Sequence, residues 1–259
     1  MFEQLLQVNY EGGIQYPVQG RINLALNHSH FHPLVVEAAD LVQQVYGAAL
    51  SRENLLEIWQ DEDYSFVTKY LATLWWGNKR RHANTAYSPD NINLLNGFAD
   101  HLQDDLHQIS ASNHFNDAED LLFLLFNNLE PGGIYFLEQI GSAYFSKIMQ
   151  FYFASHTWVS NHTFLPIICD QWLCRAIFIE MTENGLVAQR DQIFRNPTSF
   201  RLHQRSCAQS YIAFINYFNE RVGQLTANHP GLSSFEMEGR IFSDTGQNYI
   251  TNYFAGIAN

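Results

Sequence analysis

Between residues 137 and 181 the chain reads LEQIGSAYFSKIMQFYFASHTWVSNHTFLPIICDQWLCRAIFIEM, and this stretch restricts the fold more than any other. Tyr144, Phe145, Ile148, Met149, Tyr152 and Phe153 recur at the three- and four-residue intervals that lay one apolar stripe along a helix. Ile140-Gly141 offers a turn ahead of it and Ser142 an N-cap. Lys147 falls in the middle of that run, where enclosing rings strip water from an ammonium and make the neutral, nucleophilic amine more available. The segment Phe164 to Asp170 is held extended by Pro166 and the β-branched Ile167 and Ile168. A second helical pattern then runs through Trp172, Leu173, Ala176, Ile177 and Ile179. Asp170 takes the N-cap position of that helix, where backbone N–H groups and the helix dipole favour a negative charge. Taken singly, a lysine in an amphipathic helix snorkels to solvent and an aspartate before a helix is a cap. Taken together, an amine and a carboxylate on adjoining elements form a pair of catalytic type.

The remaining chain is helical in character. Residues 1–33 are rich in turns, and the alternation from Val18 to Leu26 predicts a small β element as an N-terminal accessory segment. His28, His30 and His32 alternate there, and read as polar loop residues rather than metal ligands. From Leu34 onward, stripes through Val35-Ala39-Val42-Tyr46, Leu55-Leu56-Trp59 and Phe66-Tyr70-Leu71-Leu74-Trp75 predict helices, with Gly47 and Gly77 as stops. Ser88-Pro89-Asp90 starts another helix, Asp117 leads one to Leu129, Asn184-Gly185 breaks the Asp170 helix, and Phe200 to Leu225 reads as one long helix. The expectation is a mainly α protein: an accessory segment over 1–33 and a helical domain over 34–259 whose two lobes share a cleft.

Composition narrows the chemistry. No apolar run is long enough to span a membrane and Met1-Phe-Glu-Gln-Leu-Leu is too polar for a secretory signal, so a soluble cytoplasmic protein is expected. Cys169, Cys174 and Cys207 are too few for a disulfide framework, and Cys169 and Cys174 read as buried free thiols. A net charge of −12 repels nucleic acid on average, so any nucleic-acid function has to concentrate its cations. The densest group is Lys79-Arg80-Arg81-His82, with Arg175, Arg195, Arg201 and Arg205 as possible contributors; the same run also reads as a solvated helix end. Beside it stand Trp75-Trp76-Gly77. Aromatics next to cations are what an unpaired base stacks on, and glycine lets backbone approach phosphate, although core packing accounts for at least one of the tryptophans.

Ile140-Gly141-Ser142-Ala143-Tyr144-Phe145-Ser146-Lys147, together with Leu165-Pro166-Ile167-Ile168-Cys169-Asp170 and Arg175-Ala176, resembles the 8-oxoguanine DNA glycosylase fold proteins of the helix-hairpin-helix DNA glycosylase superfamily. Glu238-Gly-Arg-Ile-Phe242 is similar to that family's terminal Glu-x-x-hydrophobic-Phe. The likeness covers roughly the second half of the chain. It implies a two-lobed helix-hairpin-helix glycosylase-like domain in which Lys147 is the hairpin lysine and Asp170 the essential aspartate. Tyr144, Phe145, Trp172, Trp75 and Trp76 would then be the base pocket, and Lys79, Arg80, Arg81, Gly141 and Arg175 would contact DNA. The implied partner is double-stranded DNA with a flipped base, bound by a monomer without metal or cofactor. Two departures stand out: 170 − 147 = 23 residues separate the pair, a few more than is common, and IGSAYFSK replaces the usual tighter Pro-Gly-Val-Gly loop. No four-cysteine cluster follows, which excludes the iron–sulfur branch. The implied reaction is excision of an oxidised purine, or of a bulky modified base of phage DNA as an antiphage defence, leaving an abasic site with or without strand cleavage. Two alternatives stand beside it: a non-catalytic module that binds a nucleotide or a protein, which the acidic balance favours, and hydrolysis of the same bond in free nucleosides.

Overall fold

Polar residues at helix starts and glycines at helix ends divide the chain, in a computed structural model, into twelve helices among the described residues. Those residues are 1–7, 10, 16–18, 22–23, 32–77, 86–110, 116–129, 133–138, 140–155, 166–194, 202 and 207–257. The helices are α1 (Phe2–Leu6), α2 (Pro33–Tyr46), α3 (Arg52–Gln60), α4 (Phe66–Trp76), α5 (Pro89–Ser110), α6 (Asn116–Asn127) and α7 (Ser142–Ser155). They continue as α8 (Gln171–Glu183), α9 (Val187–Ile193), α10 (Cys207–Thr226), α11 (Ser234–Phe242) and α12 (Asp244–Ile257). Ser51, Ser65 and Ser233 cap α3, α4 and α11, each accepting the backbone N–H three residues on at 3.1 Å, and at Ser51 the Asn54 side chain answers in a capping box. Gly47 and Gly185 follow α2 and α8 at φ of 72° and 73°, the left-handed region that costs glycine no Cβ clash.

Among the described residues the β content is one short two-stranded ladder, and most of the alternating stretch from Val18 to Leu26 lies outside them. β1 (Tyr16–Pro17) pairs antiparallel with β2 (Ala49–Leu50), and Val18 N–H extends the ladder to Ala48 O at 2.8 Å. Ile22 N–H bonds to Val18 O at 3.0 Å. The chain also begins as a helix. Phe2 and Leu5 share one face of α1 and are buried, with the Phe2 ring edge-on to Phe218 at 5.6 Å, so the segment joins the main core. At the other end of the chain, the expected helix over 200–225 starts at Cys207, and Leu202 instead forms an isolated antiparallel bridge with Phe194.

Packing places α7 centrally. It lies against α3 and α4; α4 also meets α2 and α5; α5 meets α6, and α6 lies along α10. From there α8 packs on α9, α11 and α12, while α11 meets α1, α10 and α12. Phe145 of α7 sits edge-on to Phe98 of α5 at 6.0 Å and to Phe126 of α6 at 5.1 Å, and Phe126 stacks on Tyr211 of α10 at 3.7 Å. Each such fully buried ring contributes about 1.5–3 kcal/mol, so these aromatics fix where α7, and with it Lys147, can lie. Among the described residues no helix is long and apolar enough to cross a membrane.

Candidate active site

The structure brings Lys147 and Asp170 together. Lys147 Nζ lies 3.1 Å from Asp170 Oδ2, with side-chain exposures of 7% and 17%, so the pair is largely but not wholly withdrawn from water. The other carboxylate oxygen is occupied too: Asp170 Oδ1 accepts Trp172 N–H at 2.9 Å and Leu173 N–H at 3.2 Å, as an N-cap does. One oxygen therefore orients the group against α8 while the other faces the amine. The carboxylate has little rotational freedom, which is what a group that must oppose a developing positive charge requires.

The segment that delivers Asp170 belongs to no helix or strand, so its backbone groups need partners from elsewhere. Side chains from three helices supply them. Tyr211 of α10 donates its hydroxyl to Ile167 O at 2.8 Å, Glu238 of α11 accepts Ile168 N–H at 2.7 Å, and Ser146 of α7 accepts Cys169 N–H at 2.8 Å. Ser146 precedes Lys147, so α7 grips the Asp170 segment at two successive residues.

The stem of Lys147 is confined by the end of α4. A Cβ added to Gly77 would lie 3.1 Å from Lys147 Cδ and 3.0 Å from Tyr144 Cε1, and Tyr144 donates its hydroxyl to Gly77 O at 3.1 Å. The Tyr144 ring centroid is 5.6 Å from Lys147 Nζ, within cation–π range. Ahead of α7, Asn91 of α5 clamps the turn by donating to Glu138 O at 2.9 Å and accepting Glu138 N–H at 3.1 Å. Gly141 is exposed, and its carbonyl accepts the N–H groups of Tyr144 and Phe145 at 3.0 and 3.1 Å.

The other sequence candidates divide into surface-facing and core-facing sets. Trp172 is half-buried beside Asp170, with the Arg175 guanidinium 5.5 Å from its ring and 6.0 Å from that of Phe254. Trp75 and Phe145 are fully buried, and Trp76 packs edge-on to Phe151 at 5.6 Å; core packing accounts for all three where they stand. Lys79, Arg80, Arg81 and His82, with Arg195, Arg201, Arg205, His28, His30 and Leu165, lie outside the described residues. His32 caps α2, its Nδ1 accepting Leu34 N–H at 3.3 Å. Among the described residues no three His, Cys, Asp or Glu side chains gather as a metal site.

Cys169 and Cys174 are buried with their sulfurs 3.7 Å apart, and the hydrogen bond to Cys174 together with burial pushes the Cys169 thiol well above its ordinary range. It is a thiol beside the site, poorly suited to be a nucleophile in it. Sequence reasoning missed Gln150, Asn91 and Arg52, and gave Ser146 no role beyond its place in the motif. The available signal was Ser146, Lys147 and Gln150 at i, i+1 and i+4 in an otherwise apolar helix, all three of them buried.

Residues 23–236 match the model of a protein family described as "Putative 8-oxoguanine DNA glycosylase OGG-like protein", a span that contains Lys147 and Asp170 and stops short of Glu238. No curated protein and no solved structure matches the chain.

Proposed function

We propose, because the chain belongs to the 8-oxoguanine DNA glycosylase OGG-like family, that it excises a damaged or modified base flipped out of duplex DNA. The observation that carries this reading is the 3.1 Å contact between Lys147 and a carboxylate whose second oxygen is tied to the start of α8. On this reading residues 137–155 supply the hairpin and its second helix, and the two lobes of a domain over 34–259 flank the duplex.

A stacked base hides its glycosidic bond, so the nucleotide has to leave the helix first. Entry of the sugar parts Lys147 from Asp170, and the carboxylate then opposes the positive charge that grows on the sugar as the bond to the base stretches. Lys147, its proton passed to water, attacks C1′ through its amine lone pair; the C1′–N bond breaks, its electron pair leaves with the base, and the base takes a proton back from water. Opening of the sugar ring gives an imine between Lys147 and C1′. Loss of a C2′ proton and of the 3′ phosphate then cuts the strand. If water attacks in place of the amine, the product is an abasic site in an intact strand.

The substrate class that fits is an oxidised purine such as 8-oxoguanine; a bulky modified base of phage DNA is the other, and it would make the protein an antiphage defence. Oligonucleotides carrying 8-oxoguanine, uracil, or hydroxymethylated or glycosylated cytosine, followed by alkali, separate these. Borohydride should trap wild-type protein on DNA, Lys147→Gln should abolish trapping, and Asp170→Asn should abolish excision. No product from any substrate across a range of salt concentrations would remove the enzymatic reading in favour of a non-catalytic nucleotide- or protein-binding module, which the net charge of −12 favours.

A further inference from the structure

Three helices and the Asp170 segment meet at one carboxylate. Glu238 of α11 is fully buried, and Oε1 accepts Ile168 N–H at 2.7 Å, two residues before Asp170. Its Oε2 accepts from Arg52 of α3 and from Gln150 Nε2 of α7. Gln150 lies three residues beyond Lys147 on the same helix. Arg52 is itself fixed, donating to Gln150 Oε1 at 2.8 Å and to Phe235 O at 3.0 Å with its guanidinium 3.6 Å from the Phe235 ring centroid.

We infer that Glu238 is a positioning residue of the site, setting the separation of Lys147 and Asp170 by binding the helix of one and the backbone of the other; this rests on the reading of that pair as catalytic. A buried carboxylate is costly unless its lone pairs are filled, and all the donors that fill it here belong to elements that deliver the pair or brace them. An apolar side chain at 238 would fill the volume more cheaply, but it would leave Ile168 N–H and Gln150 Nε2 without an acceptor and the Arg52 charge without its carboxylate. The charge at Glu238 therefore works on the geometry of a site it does not touch.

The arrangement predicts a rescue. Glu238→Gln keeps an acceptor for Ile168 N–H but turns an amide donor toward Gln150 Nε2 and Arg52. Adding Gln150→Glu restores the pattern with the roles exchanged, because Arg52 already donates to position 150 at 2.8 Å. Leu122→Ala, in the core of α6, a helix that supplies none of the donors to Glu238, serves as a control of comparable instability.

The measurements are single-turnover excision and borohydride trapping well below the melting temperature, and affinity for an oligonucleotide with a tetrahydrofuran abasic analogue. Glu238→Gln should slow turnover roughly 10- to 100-fold, the cost of misplacing a reacting group by about an ångström, with affinity unchanged. The double variant should return to within a few-fold of wild type, and Leu122→Ala should keep the wild-type rate. If Glu238→Gln melts early but turns over normally, or if the double variant is no better than the single, the inference is overturned. Should Glu238→Gln fail to fold, Gln150→Leu, which cuts the link to α7 alone, must show the same slowing.

Acetylation of Lys147 by an N-hydroxysuccinimide ester, read by mass spectrometry, needs no substrate. Wild type and the double variant should protect Lys147 and Glu238→Gln should not. If wild type excises nothing, the glycosylase reading falls, and this footprint alone upholds or sinks the positional coupling.

Discussion

Replacing Asp170 separates its two structural tasks. In Asp170→Asn the amide oxygen still accepts Trp172 and Leu173 N–H, so the cap survives, while the amide nitrogen meets Lys147 Nζ donor to donor. Stranding one partner of a buried ion pair costs about 3–5 kcal/mol, and because the Asp170 side chain is 17% exposed the lower end, about 3 kcal/mol, applies. Asp170→Ala also removes the cap, adding about 1 kcal/mol. Adding Lys147→Met to Asp170→Asn removes the stranded charge and should recover most of the loss. For a chain of this size the asparagine variant should melt roughly 6–12 °C early. Urea unfolding at pH 7, with slopes equal across the set, measures all three differences. A cost for Asp170→Asn below about 0.5 kcal/mol would place the pair among surface salt bridges and refute the reasoning from burial. A double variant no more stable than the single one would refute the stranded charge as the cause.

Other perturbations test neighbouring parts. Gly77→Ala needs no backbone change at φ −70°, yet puts a methyl 3.0 Å from Tyr144 and 3.1 Å from Lys147 Cδ; it should cost about 1–3 kcal/mol by overpacking and lower borohydride trapping along with stability. Burial alone would raise the Glu180 carboxyl, but bonds from Phe2 N–H at 2.8 Å and Arg221 at 2.7 Å, with the N-terminal ammonium, hold it below its ordinary value. Its stabilisation is thus complete above about pH 4.3, the ordinary glutamate value, and is lost as pH falls through the lower folded value; the urea-midpoint gap between wild type and Glu180→Gln should close in acid. Cys169 and Cys174, buried and with the Cys169 thiol pushed up, should resist iodoacetamide at pH 8 in native protein and react fully in guanidinium, as mass spectrometry would show. If Lys79, Arg80 and Arg81 contact phosphates, each change to alanine should reduce the slope of log affinity against log salt by about 1, whereas Arg190→Ala, already paired with Asp191, should leave it unchanged.

The helices were readable from spacing because the core takes up their apolar stripes: most stripe residues of α2, α4, α7 and α8 are buried, and Tyr46, Phe66, Tyr144 and Trp172 are half-buried against it. Asp170 as a cap was readable for the same local reason. That Lys147 would reach it was not in the periodicity; the family-like motifs carried that expectation, and contacts across 23 residues made it real. The rest of the site depends on longer range. Glu238 reaches Ile168 across 70 residues and Arg52 across 186, and no local pattern distinguishes Arg52 behind its serine cap from a solvent-facing first-turn arginine. Trp75 and Trp76 show the converse: aromatics beside cations look alike whether they stack on a base or fill a core. Of the early alternation only Val18, Ile22 and Asn23 are among the described residues; Val18 and Ile22 are buried, and Ile22 N–H bonds to Val18 O.

The acidic balance and the proposed substrate meet at the same ion pair. Arg52, Lys147, Arg190, Arg221 and Arg240 each face a carboxylate, so much of the positive charge among the described residues is spent joining elements rather than attracting phosphate. Asp170 would add to the repulsion if it stood alone near a DNA backbone. Lys147 cancels it in the free protein, so the site presents no net charge to an approaching strand. On the proposed mechanism the amine would lose its proton before it attacks, and between those two steps the carboxylate charge would be left facing the sugar as a cation forms there. On that mechanism, charge that would hinder binding would be exposed only when it lowers the barrier, and the 3.1 Å contact would keep it neutralised until substrate arrives.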